Sequence, residues 1–367
     1  MPLLEEGQAV RDTYEVERFL GEGAFAEVYR VRHRYLGRHA LKLFKMAGLS
    51  TQEVEDMLAE AVLLSRIEHP NIVRVFDANT FTLRGQVYGY FTMEHVAGGS
   101  LDRYWRSHGT QFVPVPIVVD LIKQVCRGLA TAHHQDPPII HRDIKPQNIL
   151  VGYQSDGLRA KVSDFGLAKQ VNPLTLLASA RGTRAFKAPE AFEDFNSDSC
   201  SGDVWAVGMT LYLLLTDKLP FAVPDDEPSP TTKLFAEALV PPSRINPLCD
   251  SMLDGIVARS LAIDRTKRHA SAAELLADLD SWAPRLQTET QESSHQLWST
   301  SKEVLGRPSP PSPQEAGAIA ARAIGLAQDP TTLNEAADLM EEAFNKLPQL
   351  RNEYQGRVKL WRRGISM

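Results

Sequence analysis

The sequence predicts an α+β fold in which strands come first, long helices follow, and a C-terminal α-helical tail ends the chain. Three observations support this order. Strand-like segments fill residues 14–93, apolar residues recur at helical spacing from residue 116 onwards, and a proline-rich stretch precedes the last helices. A chain of 367 residues is long enough for one two-lobed unit with an appendage, or for two domains.

Composition excludes several classes of partner and site. The formal net charge of -6 argues against nucleic acid or an anionic membrane as the main partner. Cys126, Cys200 and Cys249 match no metal-binding spacing and favour a reducing compartment. The amino terminus lacks a signal pattern, and the longest apolar run, at residues 204–215, is too short to span a bilayer. We therefore expect a soluble, cytoplasmic protein.

The first strands surround a glycine-containing turn. Residues 1–13 form a short leader, after which Gly21 and Gly23 lie in a turn and Val28 belongs to the next strand. Glycine lets backbone amides approach phosphate oxygens, because no side chain intervenes. An ordinary hairpin explains this stretch equally well when it is taken alone.

A lysine on the following strand is the first candidate for chemistry. Lys42 alternates with apolar neighbours, so it shares a strand face with Ala40 and Phe44. A buried ammonium group needs a partner. The next helix, for which Ser50 and Glu53 form a capping box, could supply that partner.

Strands are then predicted at residues 72–76 and 87–93, joined by a turn around Arg84 and Gly85. The second strand leads through a Gly-Gly turn into a helix, which could be a plain strand-to-helix loop. A long helix with an apolar face is predicted over residues 116–134.

The segment HRDIKPQNIL, at residues 141–150, places a carboxylate, an ammonium group and a carboxamide close together in the chain, on Asp143, Lys145 and Asn148. These groups suit the handling of phosphate, and Pro146 restrains the backbone between them. After a further strand and a turn, Asp164 begins an Asp-Phe-Gly motif and offers the oxygen ligands that magnesium prefers.

These motifs, in this order, resemble those of the eukaryotic-like Ser/Thr protein kinase family over about residues 14–284. The resemblance implies a bilobal protein-kinase-like fold. A small antiparallel-sheet lobe with one helix would span about residues 14–94, and a larger, mostly helical lobe about residues 97–284, with ATP between them. Lys145 is the residue that marks the Ser/Thr class.

The resemblance also implies roles for single residues, with ATP and Mg²⁺ as cofactors. Asp143 would act as the base, Lys145 would neutralise charge on the transferred phosphoryl group, and Asn148 and Asp164 would hold Mg²⁺. Glu60 would pair with Lys42. ATP would contact Gly21, Gly23, Val28, Ala40, Lys42, Met93, Glu94, Val96 and Leu150. Ala26 replaces the third glycine of the family pattern.

Further residues match the family's regulatory and structural positions. Arg142 would bind a phosphate on Ser179, or on Thr175 as the reserve, while Thr183 would contact Asp143. An unmodified segment is equally compatible with these residues. Two structural pairings are also implied: Asp203 with the backbone of the catalytic loop, and Glu190 with Arg268.

The remainder of the chain lies outside the resemblance. Residues 285–313 are polar and proline-rich, which predicts an extended linker. Residues 314–367 contain three helical stripes, and Thr332 with Glu335 predicts a capping box for the second. A tetratricopeptide-like hairpin is one interpretation. A small appendage docked on the kinase, through which a partner could bind, is the interpretation we favour.

The sequence therefore predicts a protein Ser/Thr kinase that acts on protein substrates. A pseudokinase or scaffold is the alternative, which Ala26 favours and the complete catalytic set opposes. A small-molecule phosphotransferase is a further alternative. The Ala188-Pro189-Glu190 motif and Arg268 argue instead for a protein substrate.

Overall fold

A computed structural model describes residues 2–23, 26–45, 58, 67–165, 184–193, 197–221, 235, 239–284 and 313–366. The chain divides into two compact units. The small unit comprises residues 1–95 and 163–181, and the large unit residues 96–162 and 182–367. Within the described ranges, none of the helices combines the length and the apolar character needed to cross a membrane.

The small unit is built on an antiparallel sheet. Its strands are β1 (Ala9–Val10), β2 (Tyr14–Glu22), β3 (Ala26–His33), β4 (Gly37–Phe44), β5 (Val75–Leu83) and β6 (Gln86–Glu94). The order of the strands in the sheet is β1-β2-β3-β4-β6-β5. Buried and less buried residues alternate along β3, as in a half-buried strand, whereas β6 is buried over six consecutive residues, 88–93.

The predicted leader is part of this sheet. β1 pairs with β2, and Leu4 is buried in the core of the small unit. The Leu3 amide donates to Glu27 Oε2 at 2.8 Å, and the Leu4 amide donates to the Tyr29 hydroxyl at 3.0 Å. Because both acceptors lie on β3, these bonds fix residues that carry no strand-like pattern of their own.

The strand predicted at residues 72–76 is wrong in position. Ile72 forms only an isolated bridge, whereas β5 runs over Val75–Leu83. The polar residues at its centre hide the strand from a hydrophobic pattern, but β6 satisfies their backbone groups. The turn at Arg84 and Gly85 is confirmed. Both residues have a positive φ, of 51° and 78°, as two-residue hairpin turns require.

The large unit is mainly helical, with one short hairpin formed by β7 (Ile149–Gln154) and β8 (Gly157–Val162). Short 3₁₀ turns at Pro146–Asn148, Arg184–Phe186, Pro242–Arg244 and Pro330–Thr332 lie between the longer elements. The helices are α1 (Leu101–Arg106), α2 (Val115–His133), α3 (Glu190–Glu193), α4 (Cys200–Thr216), α5 (Ser251–Ser260), α6 (Ala272–Asp280), α7 (Pro313–Leu326), α8 (Leu333–Lys346) and α9 (Leu350–Arg362).

Helix α4 lies in the core of the large unit. Its apolar run from Val204 to Leu215 is buried all round, as expected for a helix without a polar face. It approaches α5 closely at Gly208, where an added Cβ would lie 2.8 Å from Ser260 Cβ. The helix that carries Asp203 is thus held rigidly.

Helices α7 to α9 form the tail and belong to the large unit. Their shared core includes Met340, Phe344 and Trp361, and it extends onto Tyr153 of β7 and Leu158 of β8. The capping box predicted from Thr332 and Glu335 is wrong for Thr332. Its hydroxyl donates to Leu326 O at 2.5 Å instead of capping α8, because a 3₁₀ turn precedes that helix.

Candidate active site

The catalytic loop, residues 141–150, connects α2 to β7 in the large unit. Its 3₁₀ turn over Pro146–Asn148 folds the loop back on itself. Lys145 Nζ donates to both carboxylate oxygens of Asp143, at 3.0 and 2.8 Å. Asp143 and Lys145 keep 23% and 16% of their side-chain surface exposed, so both can meet a ligand.

Asn148 completes this group. Its Nδ2 donates to Asp143 Oδ2 at 2.9 Å and to the Asp143 carbonyl at 2.8 Å. Since the nitrogen is used in this way, the side-chain oxygen Oδ1 is the atom that suits a cation. The structure thus brings together the three polar groups that the sequence predicted for the loop.

Asp203 fixes the start of the catalytic loop. Its carboxylate accepts the amides of His141 at 2.7 Å and Arg142 at 2.8 Å. Arg142 has a φ of 71°, which costs about 1 kcal/mol or more for a residue with a Cβ. The two hydrogen bonds to the buried carboxylate offset that cost and hold the backbone in the left-handed conformation.

His133 of α2, which was not predicted as a site residue, supports Asp203. His133 Nδ1 accepts the Ala272 amide at 3.3 Å, so the opposite nitrogen, Nε2, donates to Asp203 Oδ2 at 3.0 Å. The sequence places His133 at the end of an amphipathic helix. Its position four residues after Leu129, on the apolar stripe of that helix, is the sequence signal that could have identified it.

In the small unit, Lys42 forms an ion pair with Asp164. Lys42 Nζ lies 2.6 Å from Asp164 Oδ1, and only 13% of the lysine side chain is exposed. Alternation along β4 places Lys42 beside the buried Ala40 and Phe44. Asp164 has a φ of 60°, and Phe165 next to it is fully buried. The described partner of Lys42 is therefore the aspartate of the Asp-Phe-Gly motif.

The residues expected to contact ATP fall in both units. In the small unit Ala40 and Met93 are buried and Val28 is half-buried, while Val96 and Leu150 of the large unit are half-buried. Two backbone amides are already used: Gly23 donates to Ala26 O at 2.8 Å and Glu94 to Arg74 O at 2.9 Å. Gly21 lies opposite Val28 in the sheet register.

Four predicted residues, Glu60, Thr175, Ser179 and Thr183, lie outside the described residues. Arg142, the predicted phosphate ligand, has a carboxylate partner in the structure, because its Nε lies 3.0 Å from Asp198 Oδ2. A cavity of about 50 Å³ adjoins this pair, and its lining includes Asp143 and Lys187.

Glu190 and Arg268 form the predicted ion pair within the large unit. Arg268 donates from both terminal nitrogens to the two carboxylate oxygens, at 2.8 and 3.1 Å. The guanidinium group is fully buried and also donates to the Ser201 carbonyl at 2.9 Å. A bidentate pair of this kind fixes both position and orientation.

Comparison with known proteins agrees with these motifs. The family model described as protein kinase domain matches residues 14–279. A probable serine/threonine-protein kinase PknB of Corynebacterium glutamicum is 31% identical over 307 residues, which is 77% of this chain and 45% of that protein. The serine/threonine-protein kinase ATG1c of Arabidopsis thaliana is 35% identical over 59% of this chain and 28% of its own length.

Solved structures give the same result for the fold. The crystal structure of the PknI kinase domain of Mycobacterium tuberculosis has a TM-score of 0.57 and 26% identity, over 76% of this chain and 98% of that one. The chain spans less than half the length of the two curated relatives. Helices α7 to α9 lie beyond the end of the family match at residue 279.

Proposed function

Because the chain belongs to the protein kinase family, in its Ser/Thr class, we propose that it transfers the γ-phosphate of ATP to a Ser or Thr hydroxyl of a protein. The observation that carries this proposal is the convergence of Lys145 and Asn148 on the Asp143 carboxylate. This arrangement supplies a base, a cation and an amide oxygen within one short loop.

Asp143 would accept the proton of the attacking hydroxyl. Lys145, which donates to both Asp143 oxygens, would neutralise charge that develops on the phosphoryl group. A phosphoryl transition state is highly charged and loosely bonded, so positioning and cations matter more than covalent help. The anchored backbone at Arg142 holds Asp143 ready, without a rearrangement during the reaction.

ATP with Mg²⁺ would supply the phosphoryl group and the metal charge that polarises it. Each unit offers groups that suit these ligands. Asn148 of the large unit offers a hard oxygen atom, and in the small unit Asp164 offers carboxylate oxygens and Lys42 an ammonium group for phosphate. Lys42 already binds an anionic oxygen at 2.6 Å. Ala40 and Met93, which are buried opposite each other on β4 and β6, have small and flexible apolar side chains that would suit an adenine ring.

The pseudokinase alternative gains no support from Ala26. This residue begins β3, pairs with Phe44 of β4 and accepts the Gly23 amide, so the turn closes without the third glycine. The bidentate pair of Arg268 and Glu190 supports a protein substrate, because it fixes the glutamate of the Ala-Pro-Glu motif in the large unit.

We further propose that phosphorylation regulates the enzyme through Arg142. Asp198 already binds this guanidinium group, so a phosphate on Ser179 or Thr175 would have to compete with a carboxylate. A reducing compartment such as the cytoplasm is proposed from Cys126, Cys200 and Cys249, all of which are free thiols.

The test is transfer of labelled phosphate from Mg·ATP to the protein itself and to a basic protein substrate. Asp143→Asn should reduce transfer by about 10²-fold or more, since it removes the base but keeps the shape. Asp136→Asn, an exposed aspartate in the same unit, is the matched control and should transfer normally. Unchanged transfer by Asp143→Asn would overturn the assignment of the base.

A further inference from the structure

The tail reaches the kinase domain through polar contacts as well as through its apolar core. Glu341 of α8 is only 1% exposed, and its Oε2 accepts the Tyr153 amide of β7 at 3.3 Å. Asn345, one turn further along α8, donates from Nδ2 to the Ala97 carbonyl at 3.4 Å. Phe344 packs edge-on against the Tyr153 ring. We call these residues together the tail contact.

Two glycines of the kinase domain leave room for the tail contact. At Gly152 an added Cβ would lie 3.1 Å from Val96 Cγ1 and 3.5 Å from Glu341 Oε2. At Gly99, which has a φ of 79°, an added Cβ would lie 3.4 Å from Asn345 Nδ2. A methyl group at Gly152 would crowd Val96, and at both positions it would come into van der Waals contact with the tail, so α8 packs against a surface of small residues.

The segment held by the tail, residues 96–99, begins at Val96, the last of the residues expected to bind the base of ATP. Val96 packs over Gly152, Ala97 accepts from Asn345, and the Gly99 carbonyl accepts the Val151 amide at 2.8 Å. Tail, β7 and residues 96–99 therefore form one continuous set of contacts within the large unit.

An arginine of the tail partly compensates the buried carboxylate of the tail contact. Arg362 of α9 donates from Nη2 to Glu341 Oε1 at 2.8 Å and to Asp338 Oδ1 at 2.7 Å. An isolated buried carboxylate would be strongly destabilising, so Arg362 allows Glu341 to be placed against β7. Only a folded tail that includes α9 can present Glu341 in this way.

We propose that the tail supports residues 96–99 and thereby raises the affinity of the kinase for nucleotide, with Glu341 and Asn345 as positioning residues. This inference rests on the proposed function, because it takes the segment Glu94 to Val96 as the base-binding backbone. Neither residue touches the nucleotide in this proposal. Their effect is to hold a backbone segment in one conformation, which lowers the entropy lost on binding.

The test is the affinity of the full-length protein for Mg·ADP, measured by calorimetry. Glu341→Ala should weaken binding about five- to tenfold and Asn345→Ala about two- to fivefold, as expected for one buried hydrogen bond or slightly more. Glu341→Gln keeps the acceptor oxygen and should restore most of the affinity. Asn352→Ala removes an exposed asparagine of α9 and should have no effect.

Two further readouts separate a positioning role from a merely structural one. In steady-state assays Asn345→Ala should raise KM for ATP and leave kcat within about twofold. Hydrogen exchange at residues 96–99 should accelerate in the same variant. Normal Mg·ADP affinity in both alanine variants would overturn the inference. Absence of Mg·ADP binding by the wild-type protein would instead overturn the proposed function.

Discussion

The catalytic loop and the tail contact are both polar and both lie in the large unit, yet they are built differently. In the catalytic loop, Lys145 and Asn148 reach an aspartate only a few residues away in the chain. In the tail contact, Glu341 and Asn345 meet backbone groups about 190 and 250 residues away in the chain. The first arrangement is local and partly exposed, whereas the second is long-range, with Glu341 buried and Asn345 half-buried.

This difference shows how the two kinds of polar site depend on the fold. A local cluster needs only that its short loop be held, and Asp203 does this with hydrogen bonds to two amides. A long-range contact needs two surfaces that match, here with glycines on the kinase side and an arginine that supports the buried carboxylate on the tail side. We therefore expect changes at the loop to affect chemistry, and changes at the tail to affect affinity and stability.

The largest effect should come from Asp203→Ala. It leaves the amides of His141 and Arg142 and the ring of His133 without a buried acceptor, at a cost of about 3–5 kcal/mol. Denaturant unfolding checks this, with Asp136→Asn as the control. If the free energy of unfolding falls by less than about 1 kcal/mol, Asp203 does not anchor the loop.

Lys145→Met should have the next largest effect. It removes the ammonium group from both Asp143 oxygens and should lower kcat about 100-fold while the free energy of unfolding stays nearly constant. Steady-state kinetics and thermal unfolding of the same samples measure both quantities. A variant that unfolds early but turns over normally when folded would show that Lys145 is structural.

The pH dependence of stability should distinguish the tail from the loop. Burial raises the pKa of Glu341 to about 7, and the negative charge of Asp338 raises it further. Arg362, which binds both carboxylates, acts to lower this pKa but does not outweigh burial. Because the pKa of Glu341 is higher in the folded state, its protonation stabilises the fold, and this contribution is fully present below the ordinary glutamate pKa. This stability is lost as the pH rises through about 7.

The wild-type protein should therefore lose about 2 kcal/mol relative to Glu341→Gln between pH 5 and pH 8. Unfolding curves of the two proteins at both pH values give this difference directly. Parallel pH profiles would mean that Glu341 is ionised throughout this range.

The smallest effect should come from Gly152→Ala. The added methyl group would crowd Val96 at 3.1 Å and only touch Glu341 at 3.5 Å, which should cost about 1 kcal/mol and slightly weaken Mg·ADP binding. Gly255→Ala in α5 meets no atom within 4 Å and should be neutral or stabilising by a few tenths of a kcal/mol. Equal stability changes in the two variants would argue against close packing of Val96 over Gly152.

The sequence predicted the protein-kinase fold and the convergence of Asp143, Lys145 and Asn148, because short-range spacing and the order of the motifs carry that information. It mislocated β5, whose centre is polar and is held by cross-strand pairing rather than by burial. It also left residues 2–13 without structure, since Glu27 and Tyr29 supply their partners from another strand.

The tail contact could not be predicted for a related reason. The apolar stripes of α7 to α9 predicted helices, and burial of those stripes is what a local pattern records. The meeting of Glu341 with Tyr153 depends on how the tail folds back onto β7, which spacing along the chain does not encode. Thr332 shows the same limit, because its hydroxyl binds Leu326 O rather than its own helix.

The central claim is that the catalytic loop performs the chemistry and the tail supports nucleotide binding. Its most direct test is the single-turnover rate of phosphoryl transfer at saturating Mg·ATP, compared for wild type, Asp143→Asn and Glu341→Ala. We predict that Glu341→Ala reaches the wild-type rate once it is saturated, whereas Asp143→Asn is slower by about 10²-fold or more. Transfer by Asp143→Asn at the wild-type rate, or a slow rate for saturated Glu341→Ala, would contradict this claim.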